Sequence, residues 1–237
     1  MEPQVLGRFK PQEIMQIEFF FNYLIQNKQE VIKQALKGEL PKSILIPLLF
    51  LSVISLALFG FMIGCSHSLL QGSASLVKLP LLFFTTAVIC FPTLYIFLAL
   101  LGANISFTGL GQFTLISISI MSIILFAFAP VSLFFLLVGT DYQSYKLLNV
   151  GMMSIAGFYG VYLFHKYILS EKLETMSRKV QKRTRVLLSL WLFMFGLIGT
   201  NLGFAISPFF RNPDEVFMLF TDKTENFFTH IFNILIS

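Results

Sequence analysis

The chain is poor in charge, in cysteine and in histidine. Only 12% of its 237 residues are Asp, Glu, Lys or Arg, and 56% are hydrophobic. A soluble domain, whose composition is typically about 25% charged, is excluded by that balance, and a mean hydropathy of +0.78 points to lipid as the main solvent. Cys65 and Cys90 are the only cysteines; they form no C-x-x-C pair, so no disulfide framework or thiolate metal site is expected and both read as free thiols. His67, His165 and His230 share no helical face, which gives no metal site and implies no cofactor. Ser66, His67 and Ser68 are sequence neighbours, and this is not how a nucleophile meets its base. The chain has no G-x-S-x-G, Walker A loop, H-E-x-x-H or dinucleotide fingerprint, and an enzyme is not expected.

What the chain does have is long tracts without charge. Between Lys78 and Asp141 there is none, and a spanning helix needs roughly 20 apolar residues, so this interval holds two crossings and a turn. Ser43–Val77, Leu147–Phe164 and Val186–Phe210 are also uncharged. The fold class expected is all-α, a polytopic integral membrane protein with about five transmembrane helices and amphipathic helices at both ends. The spans fall at about Ser43–Ile63, Leu79–Leu101, part of Gln112–Val138, Leu147–Phe164 and Val186–Ile206. Residues 1–42 form an N-terminal region, 43–206 the transmembrane domain and 207–237 an amphipathic tail. Charges at Glu2, Arg8, Lys10, Glu13 and Glu18 are unlike a cleaved signal peptide.

Within 12–36, apolar residues recur at helical spacing, from Ile14 and Ile17 to Ile32 and Leu36. Such a helix buries its apolar face among headgroups; the alternative is packing on the rest of the chain. Gly64–Val77 is too polar for a confident crossing and too apolar for a hydrated loop, and reads as a short amphipathic or re-entrant piece. Pro92 and Pro130 are candidate kinks, since each removes one helix hydrogen bond. Small residues form two further patterns, one with Gly157 and Gly160 and one with Gly199 and Gly203. Both suit close helix packing, and Asn201 beside the second needs a partner across a helix boundary, as at a subunit interface. None of the five expected cores contains Asp, Glu, Lys or Arg, which argues against a proton-coupled pump.

The basic residues sort by side. All but Lys78, Lys146, Arg211 and Lys223 lie before the first span or between the fourth and fifth. The positive-inside rule then puts the N-terminus in the cytoplasm and the C-terminus outside, in a membrane read as the bacterial cytoplasmic one. Arg178, Lys179, Lys182, Arg183 and Arg185 sit directly before the last span, where anionic lipid attracts each nearby basic residue by about 1 kcal/mol. Membrane lipid is the expected partner of this cluster; nucleic acid is not, because no fold or aromatic platform accompanies it.

An amphipathic N-terminal region, about five closely spaced spans and a proline-containing apolar segment from Lys78 to Tyr95 resemble the layout of Yip1-like and similar small multi-span membrane families, over roughly Leu40 to Ile206. The resemblance implies association with membrane trafficking and with protein partners. The leading expectation is a non-enzymatic membrane scaffold or accessory subunit that docks other membrane subunits, or further copies of itself. The competing one is a transporter, channel or permease component for an uncharged or lipidic substrate.

Overall fold

A computed structural model of the chain describes residues 28–100, 102, 105–173, 178–206, 208, 209 and 219. The expected amphipathic helix before residue 28 and most of the expected C-terminal tail lie outside them. Among the described residues the chain is all-helical: α1 (Lys28–Lys37), α2 (Lys42–Gly64), α3 (Leu69–Leu100), α4 (Phe107–Leu137), α5 (Tyr142–Leu173) and α6 (Arg178–Ala205). The last five are each long and apolar enough to cross a membrane.

Local chemistry ends these helices where the sequence supplies a stop. Gly38 and Gly139 take positive φ, +80° and +78°, a left-handed conformation in which a side chain would be strained. At each, two backbone bonds close the preceding helix, Gly38 N to Ala35 O with Glu39 N to Gln34 O, and Gly139 N to Leu136 O with Thr140 N to Phe135 O. This is the Schellman arrangement. At the start of α4, Ser106 Oγ accepts from Gly109 N at 3.0 Å, an N-cap.

Central helix α2 packs along both α3 and α4. The α2–α3 hairpin is tight because Gly60 and Gly64 lie against the α3 backbone: a methyl on Gly64 would fall 2.5 Å from Gln71 O, and one on Gly60 would collide with Ser75 O. Two apolar clusters result. One gathers Leu48, Leu94, Phe113, Leu163 and Trp191, the other Leu56, Phe59, Leu79, Leu125 and Met152.

Several boundaries differ from the sequence reading. Residues 64–77 are not re-entrant: a four-residue turn, Cys65–Ser68, leads directly into α3, which runs unbroken to Leu100. At 1.5 Å per residue its 32 residues extend about 48 Å, well beyond the hydrocarbon thickness. Lys78, placed by the sequence just outside the expected second span, therefore belongs to the helix and is buried. Gln71 and Ser75 of that stretch are buried on one protein-facing side of α3, while Ser73 is exposed and returns its hydroxyl proton to Leu69 O, so average hydropathy understated its capacity to be helical. α5 likewise extends from Tyr142 to Leu173, past the Lys146 and Lys166 that marked its expected ends; both side chains are exposed, as long basic side chains at membrane edges are when they snorkel. α6 includes the basic cluster as its first turns.

The apolar face of α1 does not lie free at a lipid surface. Val31, Ile32, Ala35 and Leu36 are buried in the first cluster with Leu110, Phe113, Leu163 and Ile168. Packing on the same chain wins because α4 and α5 extend far enough to supply the apolar wall. Gln112 fixes this contact: its Oε1 accepts from Leu40 N at 3.1 Å, and its Nε2 donates to Leu40 O at 3.3 Å and Gly38 O at 3.4 Å.

Candidate functional site

Sequence neighbours α3 and α4 touch little along their lengths, and α5 meets α6 less closely than it meets α4. Between these four helices lies a cavity of about 560 Å³, open along part of its side where Val150, Ser154, Phe158 and Thr200 are exposed, within the 300–1,000 Å³ typical of small-molecule pockets. It is lined on α3 from Leu79 to Leu94, on α4 around Ser117 and Met121, on α5 from Val150 to Phe164 and on α6 from Trp191 to Gly203. The sixteen residues from Leu79 to Leu94 rise roughly 22 Å along α3, a length equal to most of the ~30 Å of hydrocarbon in a bilayer.

The glycines singled out in the sequence converge here: Gly157, Gly160, Gly199 and Gly203 all line it. Their roles differ. A methyl on Gly157 would meet nothing within 4 Å, one on Gly199 would approach Thr86 Cγ2 at 3.5 Å and one on Gly203 would approach Leu82 Cδ2 at 3.6 Å, whereas one on Gly160 would collide with Met121. Gly160 thus allows α4 and α5 to meet, and Gly157 leaves open volume. Asn201 is half-buried on α6 and is not among the cavity-lining residues.

The walls are chemically quiet. Thr86, Thr114, Ser117, Ser154 and Thr200 supply hydroxyls, and each donates to the carbonyl four residues earlier, at 2.7–2.9 Å. With those protons committed to the backbone, the lining offers an ionic or strongly polar ligand little. At one end Trp191 packs near Phe164 and Phe195, with ring centroids 6.0 and 5.5 Å away, and its Nε1 donates to Cys90 O at 3.3 Å. The opposite end is bounded by Ile63, Leu79, Gly203 and Phe209.

Beside that second end is a polar stripe that the sequence reading did not recognise. Gln71, Ser75 and Lys78 sit at i, i+4 and i+7 on α3, all buried. Gln71 Nε2 donates to Pro208 O at 2.6 Å, Ser75 Oγ to Phe209 O at 3.4 Å, and Lys78 Nζ to Pro208 O at 3.3 Å and to Leu219 O. The helical spacing was visible in the sequence; the carbonyls that receive these bonds, some 130 residues onward, were not.

The remaining candidates are dispersed. Pro92 and Pro130 are exposed within α3 and α4, and neither ends its helix. Of the basic cluster, Lys182, Arg183 and Arg185 are exposed at the start of α6. His165 Nε2 meets Ser189 Oγ at 2.9 Å and His67 Nδ1 meets Ser68 Oγ at 2.9 Å. Among the described residues no three His, Cys, Asp or Glu gather as metal ligands, and Cys65 and Cys90 are free thiols. Comparison with family models, curated proteins and solved structures finds no match.

Proposed function

We propose that this integral membrane protein holds the hydrocarbon part of a lipidic molecule between α3, α4, α5 and α6, as a non-enzymatic component of a system that binds or moves that molecule. One observation carries the reading: the cavity is long and glycine-walled, and the hydroxyl protons along it are already bonded to the protein's own backbone. An acyl or isoprenoid chain requires no more than this, since its binding draws on apolar contact along its length. Water finds few partners there. In this reading the basic end carrying Lys182, Arg183 and Arg185 faces the cytoplasm, in agreement with the positive-inside rule, and anionic lipid gathers around it.

The test is photo-crosslinking in lipid nanodiscs with a phospholipid bearing a diazirine near the middle of one acyl chain. Crosslinks should concentrate on peptides containing Met153–Gly157 and Phe195–Gly199. Gly157→Leu, which fills open volume, should remove most of them while leaving the unfolding temperature unchanged or raised. Labelling spread evenly over all exposed helix faces, and indifferent to Gly157→Leu, would refute the reading.

A second reading is favoured by α6. Only 11% of its most apolar stretch is buried, against 39% for α2, and Val186, Leu190, Phe193 and Met194 are exposed on it. An accessory subunit or scaffold would use this face to dock another membrane protein, as the Yip1-like layout implies. Purification in mild detergent discriminates: reproducible copurifying subunits, lost on Phe193→Ala with Met194→Ala, favour docking, and an isolated protein that carries lipid favours the first reading.

A further inference from the structure

We propose that Phe209 is the plug at the end of the cavity distant from the basic cluster, and that Lys78, with Gln71 and Ser75, is the latch that keeps the plug seated and so sets how fast a bound chain exchanges. The proposal rests on the reading of the cavity as a site for a hydrocarbon chain.

Three observations converge. Phe209 is a cavity wall although it lies beyond the end of α6, so closure at this end depends on residues that no helix fixes. Their backbone is instead held by side chains: Gln71 and Lys78 both donate to Pro208 O, Ser75 donates to Phe209 O, and Lys78 also reaches Leu219 O. Lys78 is 5% exposed in a helix where an apolar side chain would pack at far lower desolvation cost. Holding several carbonyls from different parts of the chain is something an ammonium group does and a leucine does not. The plug itself is apolar and packs against the second apolar cluster, to which Ile63, Leu79 and Leu82 belong, so it seats without burying a polar group in the cavity. Opposite, the Trp191–Phe164 end lies within the first apolar cluster, and the bond there from Trp191 Nε1 to Cys90 O joins two helices and does not hold a segment outside them. Exchange at the Phe209 end follows from this asymmetry.

The test uses the full chain in nanodiscs with Cys65→Ser, Cys90→Ala and Phe209→Cys, measuring the rate of alkylation at position 209 by a water-soluble maleimide. Lys78→Met should accelerate it by roughly tenfold or more, tenfold being the lower end of what a lost hydrogen bond to a charged donor carries. Gln71→Leu should act in the same direction by a smaller factor, and serves as the deciding variant if Lys78→Met does not fold. In the chain with Phe209 intact, release of a pyrene-labelled fatty acid into excess unlabelled vesicles should quicken in the same order. Alkylation unchanged by folded Lys78→Met or Gln71→Leu overturns the latch, and accelerated alkylation with unchanged release overturns its control of exchange. Failure of the unaltered chain to bind the pyrene probe counts instead against the cavity reading; alkylation then judges the latch alone.

Discussion

Ser52 Oγ and Ser119 Oγ lie 2.7 Å apart at the contact between α2 and α4. Ser52 also bonds Leu48 O at 2.7 Å, and Ser119 reaches Leu115 O at 2.8 Å and Leu48 O at 3.3 Å. Two hydroxyl protons are thus shared among more acceptors than they can serve at once, and the buried pair ties the two helices without leaving a polar atom stranded. Ser119→Ala is expected to destabilise by about 0.6 kcal/mol and at most about 1.7, the range measured for interhelical bonds in membranes. Combining it with Ser52→Ala should cost less than the sum of the two, read from a double-mutant cycle on unfolding in mixed micelles.

The glycines of the α2–α3 hairpin predict a sharper contrast. At Gly64 the obstacle to an added methyl is backbone, Gln71 O at 2.5 Å, which no rotamer change relieves. Gly64→Ala should therefore force the hairpin apart and destabilise by about 1–3 kcal/mol, the usual cost of overpacking. Gly151→Ala on α5, where a methyl meets nothing within 4 Å, should be neutral or stabilising by up to about 1 kcal/mol because alanine favours the helix. Comparable losses at both positions would mean that helix propensity, not close approach, governs these sites.

The contrast also shows what the sequence discloses about such a fold. Five spans were readable because Ser43–Val77, Leu147–Phe164 and Val186–Phe210 each hold one crossing free of interior charge and the interval between Lys78 and Asp141 holds two. Gly157 and Gly199 were visible as small residues, but whether a small residue admits a neighbour or leaves a void depends on where the facing helix runs. Gly60 and Gly64, spaced as in a small-xxx-small motif, carried a packing signal of the same kind that was passed over. Lys78 misled because a single charge looks like a span boundary; its burial depends on the carbonyls of Pro208 and Leu219 arriving to accept its protons, a tertiary event that no local window contains. The α1 helix presented an apolar face, and periodicity alone cannot say whether lipid or protein covers it.

Asp141 supplies a pH dependence. Its Oδ2 accepts from Ser144 N at 3.0 Å at the start of α5, and this backbone bond, followed by one from the Ser144 side chain, holds its carboxyl below the usual carboxylate range. A depressed folded-state value means that the stabilisation is fully present above the unfolded value, about 3.9, and is lost as pH falls through the lower folded one. Asp141→Ala should lower the unfolding temperature at pH 7, and the gap from the unaltered chain should narrow below about pH 4. Asp141→Asn keeps the cap without the charge, so the chain carrying it should lack that acid-dependent component. A gap between the unaltered chain and Asp141→Ala that is constant from pH 7 to pH 3 would contradict the assignment.

Gln112 is the residue on which attachment of α1 depends most directly. Its amide makes all three bonds to the α1–α2 connection, one accepted from Leu40 N and two donated to Gly38 O and Leu40 O. Leu40 is itself 5% exposed, so Gln112→Leu would leave a buried backbone N–H without that acceptor, a loss of about 1–3 kcal/mol. The apolar face of α1 would still favour its wall on α4 and α5, so the loss should appear as local opening and not as collapse of the bundle. Hydrogen exchange should quicken at residues 35–40 while remaining slow in the middle of α2 and α4. Gln112→Glu separates geometry from chemistry: it retains an acceptor for Leu40 N but removes both donors and sets a carboxylate beside two carbonyl oxygens, so its exchange at 35–40 should be at least as fast as that of the leucine variant. If Gln112→Glu instead matched the unaltered chain, the two donated bonds would contribute nothing to holding α1 in place.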